Sequence, residues 1–193
     1  QGNVENMGLE SLGVKVEKSW IQVDDYSRTN VEGVYAIGDI AGAPWLAHVA
    51  SREGIVCAEA IAGQKPQPVD YDNIPGCTYC QPQVASLGLT EEKALAEGHQ
   101  IKVGRFPFSA SGKARAIGET EGLVKLIFDA KYGELLGAHI LGSESTELIA
   151  ELGVAKSLES TKSGIAGTIH AHPTLSEAVM EAAENAYGHA IHI

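Results

Sequence analysis

The segment "GLVKLIFDAKYGELLGAHIL", residues 122–141, decides the fold class of the second half of the chain. Two runs rich in branched apolar residues flank a short loop that contains Gly133, a pattern that predicts a β-hairpin. Further strands are predicted at 77–88 and 101–108, with Thr90 as a helix N-cap between them. Two helical faces follow, formed by Leu148, Ile149, Leu152 and Ala155, and by Leu175, Ala178, Val179, Ala182, Ala183 and Ala186, with Gly188 ending the second helix. Strands grouped first and helices last predict an α+β fold, an antiparallel sheet with helices.

The first part of the chain has a different pattern. The run "VYAIGD", residues 34–39, resembles a buried strand of a parallel sheet. Pro44 then occupies the expected first position of a helix over 45–62, which Gly63 closes. The segment 64–76, "QKPQPVDYDNIPG", is rich in proline and polar residues, so we place a boundary there and divide the chain into domains 1–69 and 70–193.

Composition excludes several classes of partner. The 193 residues carry a formal net charge of −11, which argues against binding to nucleic acid or to an anionic membrane surface. No apolar run approaches the roughly 18 residues of a membrane span. The chain opens "QGNVENMGLESLGV", as the middle of a domain would, so we expect a fragment of a longer protein, and the resemblance described below implies its C-terminal portion.

The three cysteines favour a reducing compartment, hence a cytoplasmic protein, over a disulfide scaffold. Cys77 and Cys80 form a C-x-x-C motif, but the segment "CTYC" resembles an extended strand, in which residues three apart point to opposite faces. We therefore expect structural thiols. Zinc would need two further ligands at suitable spacing, and we assign no metal.

Gly38-Asp39 is a candidate ligand site. A carboxylate at the carboxyl end of a parallel strand lies where open α/β sheets bind ligands, and the following helix would direct its positive dipole end to the same place. Asp39 could then accept hydrogen bonds from sugar-like hydroxyls. The alternative is that Gly38-Asp39 only makes a turn and caps the helix.

The segment "HAHPTLSE", residues 170–177, is the second candidate site. Thr174 and Glu177 fit a capping box, which explains Glu177 but not His172. If His172 lies in the turn before the helix, Glu177 can hold one ring nitrogen while the other takes a proton from a thiol. A metal site formed by His170, His172 and Glu177 is the alternative.

Two segments resemble a known family. The stretch 29–54, "TNVEGVYAIGDIAGAPWLAHVASREG", is similar to the second flavin-binding motif of the FAD-dependent pyridine nucleotide-disulfide oxidoreductases, and its "LAH" resembles the dihydrolipoamide dehydrogenase branch. The resemblance implies that Asp39 binds the ribityl hydroxyls of FAD. It also implies that Leu46, Ala47 and His48 face the flavin pyrimidine edge, at the end of an α/β FAD-binding domain of which residues 1–69 are a remnant.

"HAHPTLSE" resembles the C-terminal motif of the same branch. The resemblance implies that His172 is the acid-base catalyst, that Glu177 orients it, and that a cis peptide precedes Pro173. It further implies an interface domain that forms a homodimer, FAD as cofactor, NAD⁺ as electron acceptor, and dihydrolipoamide on the lipoyl domain of a 2-oxoacid dehydrogenase complex as substrate.

Three parts of the family pattern are missing from this sequence: the G-x-G-x-x-G flavin-phosphate turn, the Gly-rich NAD turn and the redox-active cysteine pair. We therefore expect the chain alone to be inactive and to bind FAD weakly. Alternative functions are another disulfide reductase of the family, such as a glutathione reductase, and a non-catalytic dimerisation module.

Overall fold

A computed structural model describes residues 2–193, which form two compact units, one ending at Tyr71 and the other spanning Asp72–Ile193. The first unit contains α1 (Leu9–Leu12), the two-residue strands β1 (Val16–Glu17) and β2 (Trp20–Ile21), a 3-10 turn at Gly38–Ile40, and α2 (Ala47–Ile61). A small core cluster contains Val4, Leu9, Val14, Ile21 and Ala36, and α2 also buries Val49, Val56 and Cys57.

Two predictions for the first unit are wrong. The run 34–39 is not a strand: Tyr35 makes an isolated bridge with Arg28, and Ile37 is exposed. Among the described residues the hydrogen-bonded neighbour of this run is the short segment 27–29, which bonds to Val34 and Ala36, and a strand needs such pairing along its whole length. Pro44 is not the first helical residue either. The Leu46 N–H group donates to the Pro44 carbonyl in a turn, and α2 begins at Ala47 with Leu46 as its N-cap.

The second unit is built on a five-stranded antiparallel sheet in the order β3-β4-β7-β6-β5. Its strands are β3 (Gly76–Thr78), β4 (Gln83–Gly88), β5 (Ile101–Pro107), β6 (Leu123–Asp129) and β7 (Leu135–Gly142). The hairpin predicted from residues 122–141 is confirmed as β6 and β7, with one irregularity of register at Ile127/Phe128.

The single strand predicted at 77–88 is wrong, because the chain reverses between Thr78 and Gln83 and forms the β3–β4 hairpin. Pro82 lies in this reversal and has no N–H group to donate to a ladder. Cys77 is consequently half-buried on β3, whereas Cys80 lies exposed in the turn. The two thiols therefore do not occupy the single extended segment that the sequence indicated.

Five helices complete the second unit: α3 (Glu91–Ala96), α4 (Gly112–Ile117), α5 (Ser145–Ser157), α6 (Lys162–Gly167) and α7 (Glu177–Asn185). The predicted Thr90 cap is confirmed, since its hydroxyl accepts from the Lys93 N–H group at 3.2 Å. The short helices α4 and α6 were not predicted. The regular part of the last helix ends at Asn185, and the predicted Gly188, in the left-handed region at φ 76°, closes the turn that terminates it.

One continuous core joins α5, α6 and α7 to one face of the sheet. Helix α5 packs on β4 and β7, and α7 packs on β5 and β6. Residues 72–193 thus confirm the predicted α+β fold, an antiparallel sheet with helices. No helix among residues 2–193 has the length and apolar character needed to span a membrane.

Candidate functional site

His172 and Glu177 form a hydrogen-bonded pair at the entry to α7. The Nδ1 atom of His172 lies 2.8 Å from Oε1 of Glu177. The second carboxylate oxygen, Oε2, accepts the Thr174 N–H group at 2.8 Å. Glu177 thereby fixes both the imidazole and the turn that carries it. The peptide bond between His172 and Pro173 is cis.

The predicted capping box is only half formed. Glu177 reaches back to the Thr174 N–H group, but the Thr174 hydroxyl donates to the Ala171 carbonyl at 2.7 Å and accepts no helical N–H group. Instead, a turn over residues 175–178 leads into the helix, with the Ala178 N–H group donating to the Leu175 carbonyl. Helix α7 therefore begins at Glu177, two residues later than a box capped by Thr174 requires.

Glu177 is suited to hold a proton-accepting imidazole. Burial alone would raise the pKa of this carboxyl, but the Thr174 N–H group, the hydrogen bond and charge of His172 and the charge of His192 together lower it. Because the ionised carboxylate can only accept, Nδ1 of His172 donates to it, and in the neutral imidazole Nε2 then carries the lone pair. The His172 side chain is 77% exposed, so Nε2 is open to a substrate.

A cavity of about 410 Å³ adjoins this pair, and its lining includes Phe106, Arg115, His172, Glu177, Glu181 and His192. The sequence did not single out His192, whose Nδ1 lies 2.6 Å from Oε1 of Glu181. The sequence feature that could have indicated this pair is Glu181, a charged residue among the apolar positions of α7, four residues after Glu177.

His170 does not join the site. Its Nε2 lies 2.7 Å from Oε1 of Glu151 on α5, its Nδ1 lies 2.9 Å from the Thr168 carbonyl, and its side chain is only 4% exposed. Both ring nitrogens are therefore occupied away from Glu177. Within residues 2–193, no group of three His, Cys, Asp or Glu side chains is arranged to hold a metal ion, and the alternative metal site lacks support.

The cysteines have the environment of packed thiols. Burial raises the pKa of Cys57 and Cys77, the opposite of the activation that a redox thiolate requires. The Sγ atom of Cys80 lies 2.9 Å from the Pro82 carbonyl oxygen, inside its own turn. All three cysteines are free.

The Gly38-Asp39 segment is held by a buried carboxylate on α2. The Gly38 N–H group, in the left-handed region at φ 71°, donates to Oε2 of Glu53 at 2.6 Å. This bond positions the 3-10 turn and leaves Asp39 exposed. Leu46 is the N-cap of α2, and Ala47 and His48 form its exposed first turn. An exposed carboxylate beside a helix N-terminus fits a group that carries both hydroxyls and an electron-rich ring.

Comparisons with known proteins identify relatives for both units. Residues 74–183 match the pyridine nucleotide-disulphide oxidoreductase dimerisation domain, and residues 2–54 match the pyridine nucleotide-disulphide oxidoreductase model. A dihydrolipoyl dehydrogenase from Rhizobium etli is 57% identical over 97% of this chain, and one from Bacillus subtilis is 47% identical over 100%.

Two solved structures share the fold. LpdA from Mycobacterium tuberculosis superimposes with a TM-score of 0.89 and 26% identity over 95% of this chain and 40% of its own. The HOCl-induced flavoprotein disulfide reductase RclA from Escherichia coli, as its Cu(II) complex, superimposes with a TM-score of 0.90 and 25% identity. The match covers 95% of this chain and 42% of the RclA chain. The chain spans 39% of the Rhizobium relative and 40% of the Bacillus relative.

Proposed function

The chain belongs to the pyridine nucleotide-disulphide oxidoreductase family, and on that premise we propose that it serves a flavoprotein that oxidises dihydrolipoamide to lipoamide and reduces NAD⁺ to NADH. The family predicted from the two motifs is confirmed by the matches. The relatives named dihydrolipoyl dehydrogenase support the choice of substrate. In this proposal the chain contributes the acid-base pair His172–Glu177 and the dimerisation surface.

The observation that carries the proposal is the 2.8 Å contact between His172 and Glu177. With Nδ1 committed to the carboxylate, Nε2 of His172 accepts a proton from a thiol of dihydrolipoamide. The ionised Glu177 stabilises the imidazolium that forms, and the Thr174 N–H bond keeps the carboxylate in place. The proton returns to solvent when the exposed imidazolium is deprotonated.

FAD, when bound, supplies the electron path from the dithiol to NAD⁺. In this proposal Asp39 accepts hydrogen bonds from the ribityl hydroxyls, and the first turn of α2, at Leu46, Ala47 and His48, faces the flavin pyrimidine edge. Glu53 supports this arrangement because it fixes the Gly38 backbone. The positive end of the α2 dipole favours negative charge on the ring.

We propose a homodimer as the active form, because the match to residues 74–183 is a dimerisation domain and the exposed His172 can reach a thiol at a second chain. The dithiol would arrive on the lipoyl domain of a 2-oxoacid dehydrogenase complex. Three free cysteines agree with a cytoplasmic protein.

Three variants of the holoenzyme that carries this chain test the assignment. His172→Gln should lower kcat for dihydrolipoamide by about 10²–10⁴-fold, the usual contribution of general acid-base catalysis. Visible flavin absorbance should stay unchanged. Glu177→Gln should lower kcat less, because the amide can still hold the ring.

His189→Gln is the matched control, since His189 also faces a carboxylate, Glu184 at 3.7 Å, but does not line the cavity. It should retain full activity. Small and equal losses for His172→Gln and Glu177→Gln would show that the pair only organises the entry to α7.

The likeness to RclA supports a second candidate, a different disulfide reductase of the same family. Turnover of the holoenzyme with dihydrolipoamide and with glutathione disulfide, measured side by side, separates the two. Preference for glutathione disulfide would replace the proposed substrate. Inactivity with both substrates would favour a non-catalytic dimerisation module.

A further inference from the structure

A second carboxylate–imidazole pair lines the cavity at His172. Glu181 lies on α7 one turn after Glu177, and its side chain is only 4% exposed. It accepts the Ile191 N–H group at 3.0 Å, the His192 N–H group at 3.5 Å and the His192 Nδ1–H group at 2.6 Å. Ile191 and His192 are thereby fastened to α7 beside the cavity.

The contact between His192 and Glu181 bears on the repulsion between the carboxylates of Glu177 and Glu181. Carboxylates four residues apart on a helix repel each other, so Glu181 alone would disfavour the ionised form of Glu177. His172 needs that ionised form in order to keep its proton on Nδ1. A protonated His192 against Glu181 cancels the second negative charge, and the charge of His192 is among the causes that lower the pKa of Glu177.

We propose that Glu181 and His192 form a positioning pair for His172–Glu177: Glu181 holds His192 in the wall of the cavity, and His192 cancels the charge that Glu181 would direct at Glu177. The functional part of this inference rests on the proposed acid-base role of His172. The electrostatic part does not depend on that role, because it concerns only how the pKa of Glu177 responds to neighbouring charges.

Four other titratable or charged side chains line the cavity with Glu177, and the charges of His172 and His192 are those that lower its pKa. His172 contacts it from the preceding turn, Glu181 lies on its own helix, His192 approaches from the C-terminal segment, and Arg115 lines the cavity from α4. The pair at Glu181 is distinguished from Arg115 by its contact, because His192 reaches Glu181 within hydrogen-bond distance. Changes at the two members of the pair should therefore act on Glu177 in opposite directions.

The first experiment is an NMR titration of the Glu177 side-chain carboxyl carbon in the 193-residue chain. His192→Gln leaves Glu181 uncompensated and should raise the pKa of Glu177 by about 0.3–0.5 unit, the size expected for a unit charge one helical turn away in a water-like dielectric. Glu181→Gln removes the like charge and should lower the pKa of Glu177. It should also speed the hydrogen exchange of the Ile191 amide.

Two further variants separate charge from structure. His192→Lys keeps a positive charge without the ring, and should restore the pKa of Glu177 toward the wild-type value. His192 is 64% exposed, so its substitutions leave the core intact. His189→Gln, at the neighbouring Glu184, should leave the Glu177 titration unchanged. Shifts in the same direction for His192→Gln and Glu181→Gln, or no resolvable shift for His192→Gln, would overturn the proposal.

The second experiment measures kcat and KM for dihydrolipoamide against pH in the holoenzyme. In His192→Gln the acidic limb of the kcat/KM profile should move to higher pH, and KM should rise several-fold because the cavity wall is loosened. An acidic limb that stays in place would overturn the functional part. Absence of dihydrolipoamide turnover in the wild type would instead refute the proposed function, while the NMR titration would still decide the electrostatic part.

Discussion

At the scale of single residues, Glu53 has the role in the first unit that Glu177 has in the second. Its two oxygens accept the Gly38 N–H group and the Tyr71 hydroxyl, each at 2.6 Å. A single buried carboxylate thus connects the Gly38-Asp39 turn to α2 and to the end of the unit. Burying the Glu53 carboxylate without hydrogen-bond donors would destabilise the fold, and each of these two bonds supplies it with a donor.

This contact predicts how stability depends on pH at high pH. Burial and the hydrogen bond to Glu53 raise the pKa of Tyr71 to about 12. The unfolded chain releases this proton near pH 10, whereas the folded chain retains it, so the stabilisation is complete below pH 10 and is lost as pH rises toward 12. Urea unfolding of the chain at pH 8 to 11 should show this loss.

The matched variants are Tyr71→Phe and Tyr132→Phe. Tyr71→Phe should lower the free energy of unfolding by about 1 kcal/mol at pH 8 and should flatten the alkaline loss, because its hydrogen bond to Glu53 is absent. Tyr132→Phe alters an exposed tyrosine on the β6–β7 turn and should keep the wild-type pH dependence. An unchanged alkaline slope in Tyr71→Phe would contradict the prediction.

At the scale of elements, the close approach of α7 to β5 positions the candidate site. Gly104 lies on β5 directly under α7, and a Cβ atom there would overlap the Ala182 carbonyl oxygen. Asn185 fixes the end of the helix, since its Oδ1 accepts the Arg105 N–H group at 2.9 Å. The absence of a side chain at Gly104 therefore allows α7, which carries Glu177 and Glu181, to lie this close to the sheet.

Gly104→Ala should displace α7 and lower the free energy of unfolding by about 1–3 kcal/mol or more, the usual cost of overpacking. The hydrogen bond between His172 and Glu177 should weaken with it, which the ring nitrogen chemical shifts would report. Gly153→Ala is the matched control within α5, because its nearest neighbour, Leu87 Cδ2, lies 4.0 Å away. That change should be neutral or stabilising by up to about 1 kcal/mol. Equal stability of the two variants would contradict this account of α7.

At the scale of the whole molecule, self-association is the property that the proposed homodimer requires. Ile169 is 97% exposed, next to the segment that carries His170 and His172. A large apolar side chain so exposed beside the candidate site suits burial by a second chain. We therefore expect the 193-residue chain to form a dimer at micromolar concentration, with twice the mass of 20.3 kDa in sedimentation equilibrium.

Ile169→Lys should weaken this dimer, because a charge would have to be buried in the contact. Leu95→Lys changes another exposed apolar residue, on α3, and should leave the association constant unchanged. A strictly monomeric wild-type chain would refute the prediction. Equal weakening by both variants would show that Ile169 has no special place in the contact.

The sequence by itself determined the antiparallel hairpin at residues 122–141, the α+β class, the Thr90 cap and the family, because each depends on local periodicity or on a short motif. Only the tertiary structure decided the features that depend on contacts between groups distant in sequence. His170 hydrogen-bonds to Glu151 on α5, Glu181 binds Ile191 and His192 near the C-terminus, and the run 34–39 belongs to no sheet. The physical reason is that a buried charge or a strand edge is satisfied by whichever partner the fold brings near, and sequence spacing does not specify that partner.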